Sequence, residues 1–176
     1  MIGASIHSRR ALPFRAVNRS GIASYDPGLQ RHHLLPRQLL SQRCFGQLIA
    51  AVGGDGVGFD DFRSNGMLLP ASEAAALRLG LPLHRGPHRD YNRLVSERVG
   101  QIEAGWAATR GRTPEIAAHD AHQRLVLLQR ALRRRLLAVA RRPFALNRRD
   151  PFGREVNFAE LDAMADALWP VTELSG

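Results

Sequence analysis

The hydrophobic positions in the second half of the chain recur with the period of an α-helix. Apolar residues spaced three or four apart after residue 88 predict a long amphipathic helix: Tyr91, Leu94, Val95, Val99, Ile102 and Trp106. The stretch "GRTPE" predicts the start of a second one, with Thr113 as its cap and Pro114 at its first position. This helix is expected to reach about Arg141, and its apolar face would consist of Ile116, Leu125, Leu128, Leu132 and Val139. A capping-box pattern predicts a last short helix from Asn157.

The first half of the chain predicts shorter elements. "RHHLL" suits a short strand, and Pro36 suits the first turn of a following helix. The buried side of that helix is expected to consist of Leu39, Leu40 and Leu48. The Asn-Gly pair in "SNGMLLP" (64–70) predicts a β-hairpin, and Ser72 would cap a brief helix over "EAAALRL". The glycine-rich stretch 52–61 lacks the lysine of a phosphate-binding loop, so we interpret it as a flexible connection.

Together these patterns predict a mostly helical α+β protein with two or three short strands near the middle of the chain. We divide it into a basic arm over residues 1–28, a core over residues 29–107, and a helical C-terminal extension over residues 108–176 that packs on the core.

Charge adds a class of partner to this outline. The formal net charge is +9, and all 25 basic residues are arginines, which make forked contacts with phosphate. The excess of positive charge fits a polyanionic partner such as nucleic acid, although many other proteins have a basic surface. No apolar run approaches the roughly eighteen residues of a membrane span. The first 21 residues lack the hydrophobic stretch of a Sec signal peptide, so export would require another route.

The single cysteine restricts the possible metal chemistry. Cys44 cannot form an intramolecular disulfide or contribute to a multi-cysteine zinc site, and we expect it to be buried and inert. Any metal site must therefore use histidine and oxygen ligands.

Four of the 7 histidines fall where the strand and turn signals lie: His32, His33, His84 and His88. His84 and His88 are four residues apart at a helix start, so they can share a face. Adjacent residues in a strand point to opposite faces, so only one of His32 and His33 is expected to face a given site. Three converging imidazoles would form an open, catalytic type of metal site. The remaining histidines are interpreted as ordinary surface residues: His7, His119 and His122.

Three motifs in this region resemble those of a nuclease family. "RHHLLP", "SNGMLLP" and "LPLHRGPHRDYN" are similar, in this order, to the motifs of the AHH branch of the HNH/endonuclease VII (His-Me finger) nucleases. Such nucleases often occur as toxin domains of bacterial polymorphic toxin systems. The resemblance covers about residues 31–102, and it departs from the family at Arg31, where the name-giving motif has alanine.

The resemblance implies a ββα-metal core and a role for each motif residue. His33 would be the general base, while His32, His84 and His88 would hold one divalent metal ion. Asn65 would hold the hairpin loop and orient the base through its amide. Spacing alone leaves open which of His32 and His33 is the base. It also leaves the metal open, since imidazoles bind Zn, Ni, Mn or Co as well as Mg.

The implied function is a metal-dependent endonuclease, a nonspecific DNase acting as a toxin. Such a toxin would leave the producing bacterium, act in the cytoplasm of a target cell and be neutralised by an acidic immunity protein. Two alternatives are an RNase toxin with the same fold and a basic nucleic-acid-binding protein without activity. Arg85, Arg89 and Arg93 beside the histidine turn would either grip phosphates or form a solvated helix face.

Overall fold

The computed structural model describes residues 10–86, 88–138, 146 and 150–152. In chain order, the strands and α-helices are β1 (Leu29–His33), α1 (Gly46–Val52), α2 (Gly54–Val57), α3 (Phe62–Asn65), β2 (Gly66–Pro70), α4 (Glu73–Leu79), α5 (Arg89–Thr109) and α6 (Pro114–Leu137). Short 3-10 turns lie at Phe14–Ala16, Arg37–Ser41 and Arg43–Phe45. The predicted α+β class, mostly helical with a small sheet, is confirmed.

Strands β1 and β2 form a two-stranded antiparallel sheet in which His33 pairs with Gly66 and Leu29 pairs with Pro70. The two strands pair as a hairpin does, but the Asn-Gly pair is not its tight turn. Asn65 ends the helical turn α3, which Asp61 caps by accepting a hydrogen bond from the backbone of Arg63. Three short helices therefore separate the strands in sequence, and part of the glycine-rich stretch is helical in α2.

The two long helices were predicted well, and they supply much of the core. All six apolar positions expected on the first of them are buried in α5. In α6, Leu125, Leu128 and Leu132 are buried as expected, and the helix ends at Leu137, a few residues before Arg141. Ile116 was wrongly placed in the core, since its side chain is 69% exposed. It lies in the first turn of α6, where the next residue, an alanine, faces inward instead.

Two expectations for the 3-10 turns that follow β1 were wrong. Leu39 and Leu48 are buried, but Leu40 is 40% exposed, because a 3-10 turn with three residues per turn presents Leu39 alone to the core. Cys44 is exposed rather than buried. It lies in the turn whose inward position is taken by Phe45.

Residues 10–28 lie against the core through specific hydrogen bonds. The backbone NH of Leu12 donates to the Asp61 carboxylate at 2.9 Å, and the backbone of Phe62 donates to the carbonyl of Leu12 at 2.7 Å. The Asn18 amide donates to the carbonyl of Leu29 at 2.9 Å, at the start of β1. This part of the arm is therefore tied to the start of α3 and to the start of β1.

Three sequence expectations fall outside the described residues: His7, Val139 and the helix from Asn157. Among the described helices, none has both the length and the hydrophobicity needed to cross a membrane.

Candidate metal centre

Three histidines from two separate parts of the chain meet beside the sheet. Each of His32, His84 and His88 offers a ring nitrogen, and these atoms lie within 4.8 Å of one another. The ring centroids of His84 and His88 are 4.3 Å apart, and those of His32 and His84 are 4.8 Å apart. His32 comes from β1, His84 precedes the turn before α5, and His88 is the residue before α5 begins. The structure therefore brings together the histidines that the motifs singled out as ligands.

All three imidazoles are held in the neutral form. Burial lowers the pKa of His32 well below its usual value, and the neighbouring His84 and His88 lower it further. Burial, followed by the charge of His88, lowers the pKa of His84 to about 4. Burial also lowers the pKa of His88, although its bond to a backbone carbonyl opposes this shift. A neutral imidazole is the form that binds a metal ion, because its nitrogen keeps a lone pair.

The contacts of the rings suit metal ligands. Nδ1 of His84 lies 3.3 Å from the Gln30 amide oxygen, and Nδ1 of His88 lies 3.4 Å from the carbonyl of Leu146. Both oxygens only accept, so each bond requires the proton on Nδ1 and leaves the Nε2 lone pair free. Nε2 of His32 is buried and has no hydrogen-bond partner among the described residues. A buried nitrogen without a partner is costly, and a divalent cation shared by three imidazoles would satisfy it.

His33 lies on the opposite face of β1 and takes no part in this cluster. Its ring stacks on Phe14 with centroids 3.7 Å apart and planes inclined by 6°. Burial lowers the pKa of His33, and Arg37 lowers it further, while Asp60 raises it. Its Nε2 also has no hydrogen-bond partner in the described part of the chain. This nitrogen is buried, and the neutral ring keeps a lone pair with which it can accept a proton from a water molecule that reaches it.

Asn65 is fully buried and fixes the backbone that follows His33. Its side-chain oxygen accepts from the NH of Leu35 at 2.7 Å, and its amide nitrogen donates to the carbonyls of Leu35 and Phe59 at 3.0 and 3.1 Å. Its own carbonyl accepts from Leu34 at 2.8 Å. The side chain therefore binds backbone rather than the imidazole of His33, and its influence on that ring passes through the chain.

The other polar residues named from the sequence lie at the surface. Arg93 makes ion pairs with Asp90 and Glu97 along α5. Arg85 and Arg89 are exposed. Their positions are compatible with either of the two interpretations given above, phosphate contacts or a solvated face.

Sequence reasoning missed several residues that shape the site. Asp150 is buried and accepts a hydrogen bond from the backbone of Leu83, next to His84, at 2.8 Å. Burial raises the pKa of the Asp150 carboxyl. Leu146 contacts His88 from the same late segment, more than 50 residues further along the chain. Tyr91 is buried against His32, as a core residue, and donates to the carbonyl of Leu34 at 2.6 Å. No local pattern connects Asp150 and Leu146 with the histidines, whereas Tyr91 belongs to the same motif as His84 and His88 and was expected in the core.

Two antiparallel strands followed by a helix, with histidines converging beside them, define the class as a ββα-metal fold. A family model described as AHH, a nuclease family of the HNH/ENDO VII superfamily with conserved AHH, matches residues 14–130, well over half of the chain. The chain therefore belongs to this nuclease family, and the family predicted from its motifs is confirmed. The match extends beyond the region of those motifs on both sides. No curated protein and no solved structure matches the chain.

The lowered histidine pKa values predict that the metal-free protein loses stability in mild acid. A histidine whose pKa is lower in the folded than in the unfolded state stabilises the folded protein. This contribution is complete when the pH is above the unfolded-state pKa of about 6.5. For His84 this contribution is lost as the pH falls towards 4. In EDTA, urea midpoints are expected to fall between pH 7 and pH 5. His84→Gln should make this dependence shallower, and the exposed His119→Gln should leave it unchanged. A midpoint that is independent of pH in this range would contradict the burial of neutral imidazoles.

Asn65→Ala is expected to lower the free energy of unfolding by about 2–5 kcal/mol, because it leaves the buried NH of Leu35 and two carbonyls without partners. Urea unfolding measures the loss. Asn92→Ala is the matched control. The Asn92 amide makes one long, exposed hydrogen bond, to the Gln38 side chain at 3.4 Å. Its removal should change the free energy of unfolding by less than about 0.5 kcal/mol. Equal effects of the two substitutions would show that the Asn65 network carries no stability.

Proposed function

We propose that the protein is a metal-dependent endonuclease that cleaves DNA without sequence preference and acts as a toxin. The single observation that carries the catalytic part is the convergence of three neutral imidazoles within 4.8 Å. A fourth histidine, His33, lies next to one of them in the chain and points to the other face of the strand.

The residues of the site divide the work. His32, His84 and His88 would hold one divalent ion, which when bound stabilises the negative charge that develops on the phosphate and on the leaving oxygen. His33 acts as the general base and takes a proton from the attacking water, because its lowered pKa keeps the ring neutral at pH 7. Asn65 and the backbone of Leu35 fix the end of β1 and thereby the position of His33.

A nucleic-acid substrate and the absence of sequence preference are supported by charge. The net charge is +9, and all 25 basic residues are arginines, which bind phosphates through paired donors. Phosphate contacts carry no sequence information, so a site of this kind accepts many sequences. RNA has the same phosphodiester linkage and is the nearest rival substrate.

The toxin role rests on the resemblance to nuclease domains of polymorphic toxins. It implies delivery out of the producing bacterium by a route other than Sec and action in the cytoplasm of a target cell. It also implies an acidic immunity protein, since opposite charge speeds association with a basic toxin. Expression in a bacterial host tests this role. Wild type should arrest growth and degrade cellular DNA, and His33→Ala should do neither.

Supercoiled plasmid and total RNA, each incubated with the protein with and without EDTA, test the substrate. The proposal predicts nicking and linearisation of plasmid that EDTA prevents, with much slower loss of RNA. Preferential loss of RNA would replace the DNase by an RNase of the same fold. A failure to cut either substrate with Mg²⁺, Mn²⁺, Zn²⁺, Ni²⁺ or Co²⁺ would contradict the proposed activity.

A further inference from the structure

A cleft of about 240 Å³ lies between α6 and the segment that leads into β2. Three arginines share its lining: Arg63 from α3, and Arg130 and Arg133 from α6. Of the described residues that line the cleft, none is acidic. Three guanidinium groups around one concave surface make it a candidate for an anionic ligand.

Among the described residues no carboxylate pairs with Arg130 or Arg133, whereas the charge of Arg63 interacts with the Asp61 carboxylate. Arg133 donates to the backbone carbonyls of Arg63, Ser64 and Gly66 at 2.8, 3.1 and 3.0 Å. These oxygens carry no net charge, so the guanidinium is held in place while its charge is kept. Arg130 is exposed and has no hydrogen-bond or ion-pair partner among the described residues. Arg93 beside the histidine turn differs, because two carboxylates already pair with it.

The cleft adjoins the end of the sheet that carries His33. Gly66, whose carbonyl binds Arg133, is the strand partner of His33. Gln129 lines the cleft and is buried, and its amide donates to the Asn65 side chain at 3.3 Å. Asn65 in turn holds the backbone two residues after His33. A ligand in this cleft would therefore lie beside the strand end that bears the proposed base.

We propose that this cleft binds a backbone phosphate of the nucleic acid next to the phosphodiester that is cleaved. The phosphate would lie between Arg130 and Arg133, whose planar donors match its oxygens. Nucleic acid is the occupant favoured here because the chain belongs to a nuclease family. The inference rests on the proposed function only for the position of the cleaved bond.

Binding of a short fluorescein-labelled DNA duplex to the His33→Ala protein in EDTA tests the cleft without cleavage. Arg130→Gln is expected to weaken binding by about 3- to 10-fold at low salt and to reduce the slope of log K against log [salt] by about 0.9, the value for one lost phosphate contact. Arg112→Gln removes the same charge from an exposed arginine in the α5–α6 turn, outside the cleft. It should leave the slope unchanged.

The proposal would be overturned if adding Arg130→Gln to the His33→Ala protein left the slope of log K against log [salt] unchanged. Equal effects of Arg130→Gln and Arg112→Gln on DNA binding would overturn it too. Loss of affinity for an acidic protein partner with unchanged DNA binding would also overturn it, since the cleft would then serve a protein. Plasmid cleavage by the wild type, measured in parallel, reports on the proposed function separately. A protein that binds through Arg130 but does not cut would retain the cleft and lose the nuclease proposal.

A different observation concerns Phe14, which lies in a 3-10 turn far from the histidine motifs in sequence. Its ring stacks on His33 at 3.7 Å and meets the edge of Phe62 at 5.1 Å. Two contacts hold this turn in place. The backbone carbonyl of Phe14 accepts a hydrogen bond from the Arg31 guanidinium at 3.0 Å, and Pro13 forms a β-bridge with Asp61. Phe14 is thus held against one face of the imidazole by contacts on several sides.

The geometry points to Phe14 as a positioning residue for His33. The imidazole has no hydrogen-bond partner at Nε2 in the described part of the chain, so ring packing is what the structure provides to fix its orientation. A flat aromatic ring at 6° to the imidazole restricts its rotation, and an aliphatic side chain of similar size would not. This inference also rests on the proposed role of His33.

Steady-state cleavage by Phe14→Leu, Phe14→Tyr and Phe14→Ala tests this role. Phe14→Leu and Phe14→Ala are expected to lower kcat by about 3- to 10-fold with KM unchanged, and Phe14→Tyr should restore it, because it keeps the ring. Tyr25→Leu removes an exposed aromatic ring from the same arm and serves as the control. Circular dichroism at the assay temperature verifies that each variant is folded.

Full kcat in the folded Phe14→Leu protein would overturn the positioning role, and so would a rise in KM alone. A higher kcat in Phe14→Ala would also overturn it, since the ring would then obstruct the base. If His33→Ala cleaves as fast as wild type, the proposed function fails instead, whatever the Phe14 variants do.

Discussion

His33→Ala is expected to lower the rate of plasmid cleavage by about 10²- to 10⁴-fold, the usual contribution of a general base. His33 is the one histidine of the four that lies outside the cluster of ring nitrogens, on the opposite face of β1. Its removal should therefore leave metal binding intact. Gel-based nicking rates at saturating DNA, with the affinity for DNA measured in parallel, report the loss.

The control for this substitution is His122→Ala. His122 also bonds to the protein, with Nε2 3.0 Å from the carbonyl of Gly56, but it lies on α6. The His122→Ala protein should cleave plasmid at the wild-type rate. Wild-type cleavage by His33→Ala would remove this residue from the mechanism, and a loss of metal binding in the same variant would make it a ligand instead.

His84→Ala is expected to abolish both cleavage and stabilisation by the metal ion. With two imidazoles left, the site lacks the three ligands typical of a catalytic centre, and affinity falls steeply. For the wild type, a metal ion at about 100 times its Kd raises the free energy of unfolding by about 2.7 kcal/mol. The variant should lose this increase. Thermal melts with and without Mn²⁺ or Zn²⁺ measure the effect.

His119→Ala is the matched control, because it removes an imidazole that is exposed on α6. It should keep the full metal-induced rise in Tm. If His84→Ala keeps that rise as well, the ion is bound elsewhere, and the three-histidine centre is wrong.

The long helices could be predicted because their signal is local. Six apolar residues of α5 share one face at helical spacing, and each is buried. The same periodicity failed at Ile116 and Leu40, which are exposed. Near a helix start and in a 3-10 turn, one residue of shift changes which side chain faces inward, and spacing cannot fix that shift.

The histidine set could be named because the motifs carry it as a unit, whereas its supports could not. Phe14 reaches His33, Leu146 reaches His88 and Gln30 reaches His84 across distant parts of the chain. Each contact depends on how the chain closes in three dimensions and leaves no pattern in the local sequence. The amide of Asn65 was expected to act on the base, and it binds the backbone beyond that base.

Plasmid cleavage by protein stripped of metal with EDTA, and then supplied with single divalent ions, tests the central claim most directly. The three neutral imidazoles predict that the stripped protein is inactive and that at least one of Mg²⁺, Mn²⁺, Zn²⁺, Ni²⁺ or Co²⁺ restores cleavage in the wild type. The same ion should fail to restore His84→Ala. Cleavage that persists in EDTA, or that His84→Ala recovers as fully as the wild type, would contradict a metal-dependent nuclease built on this site.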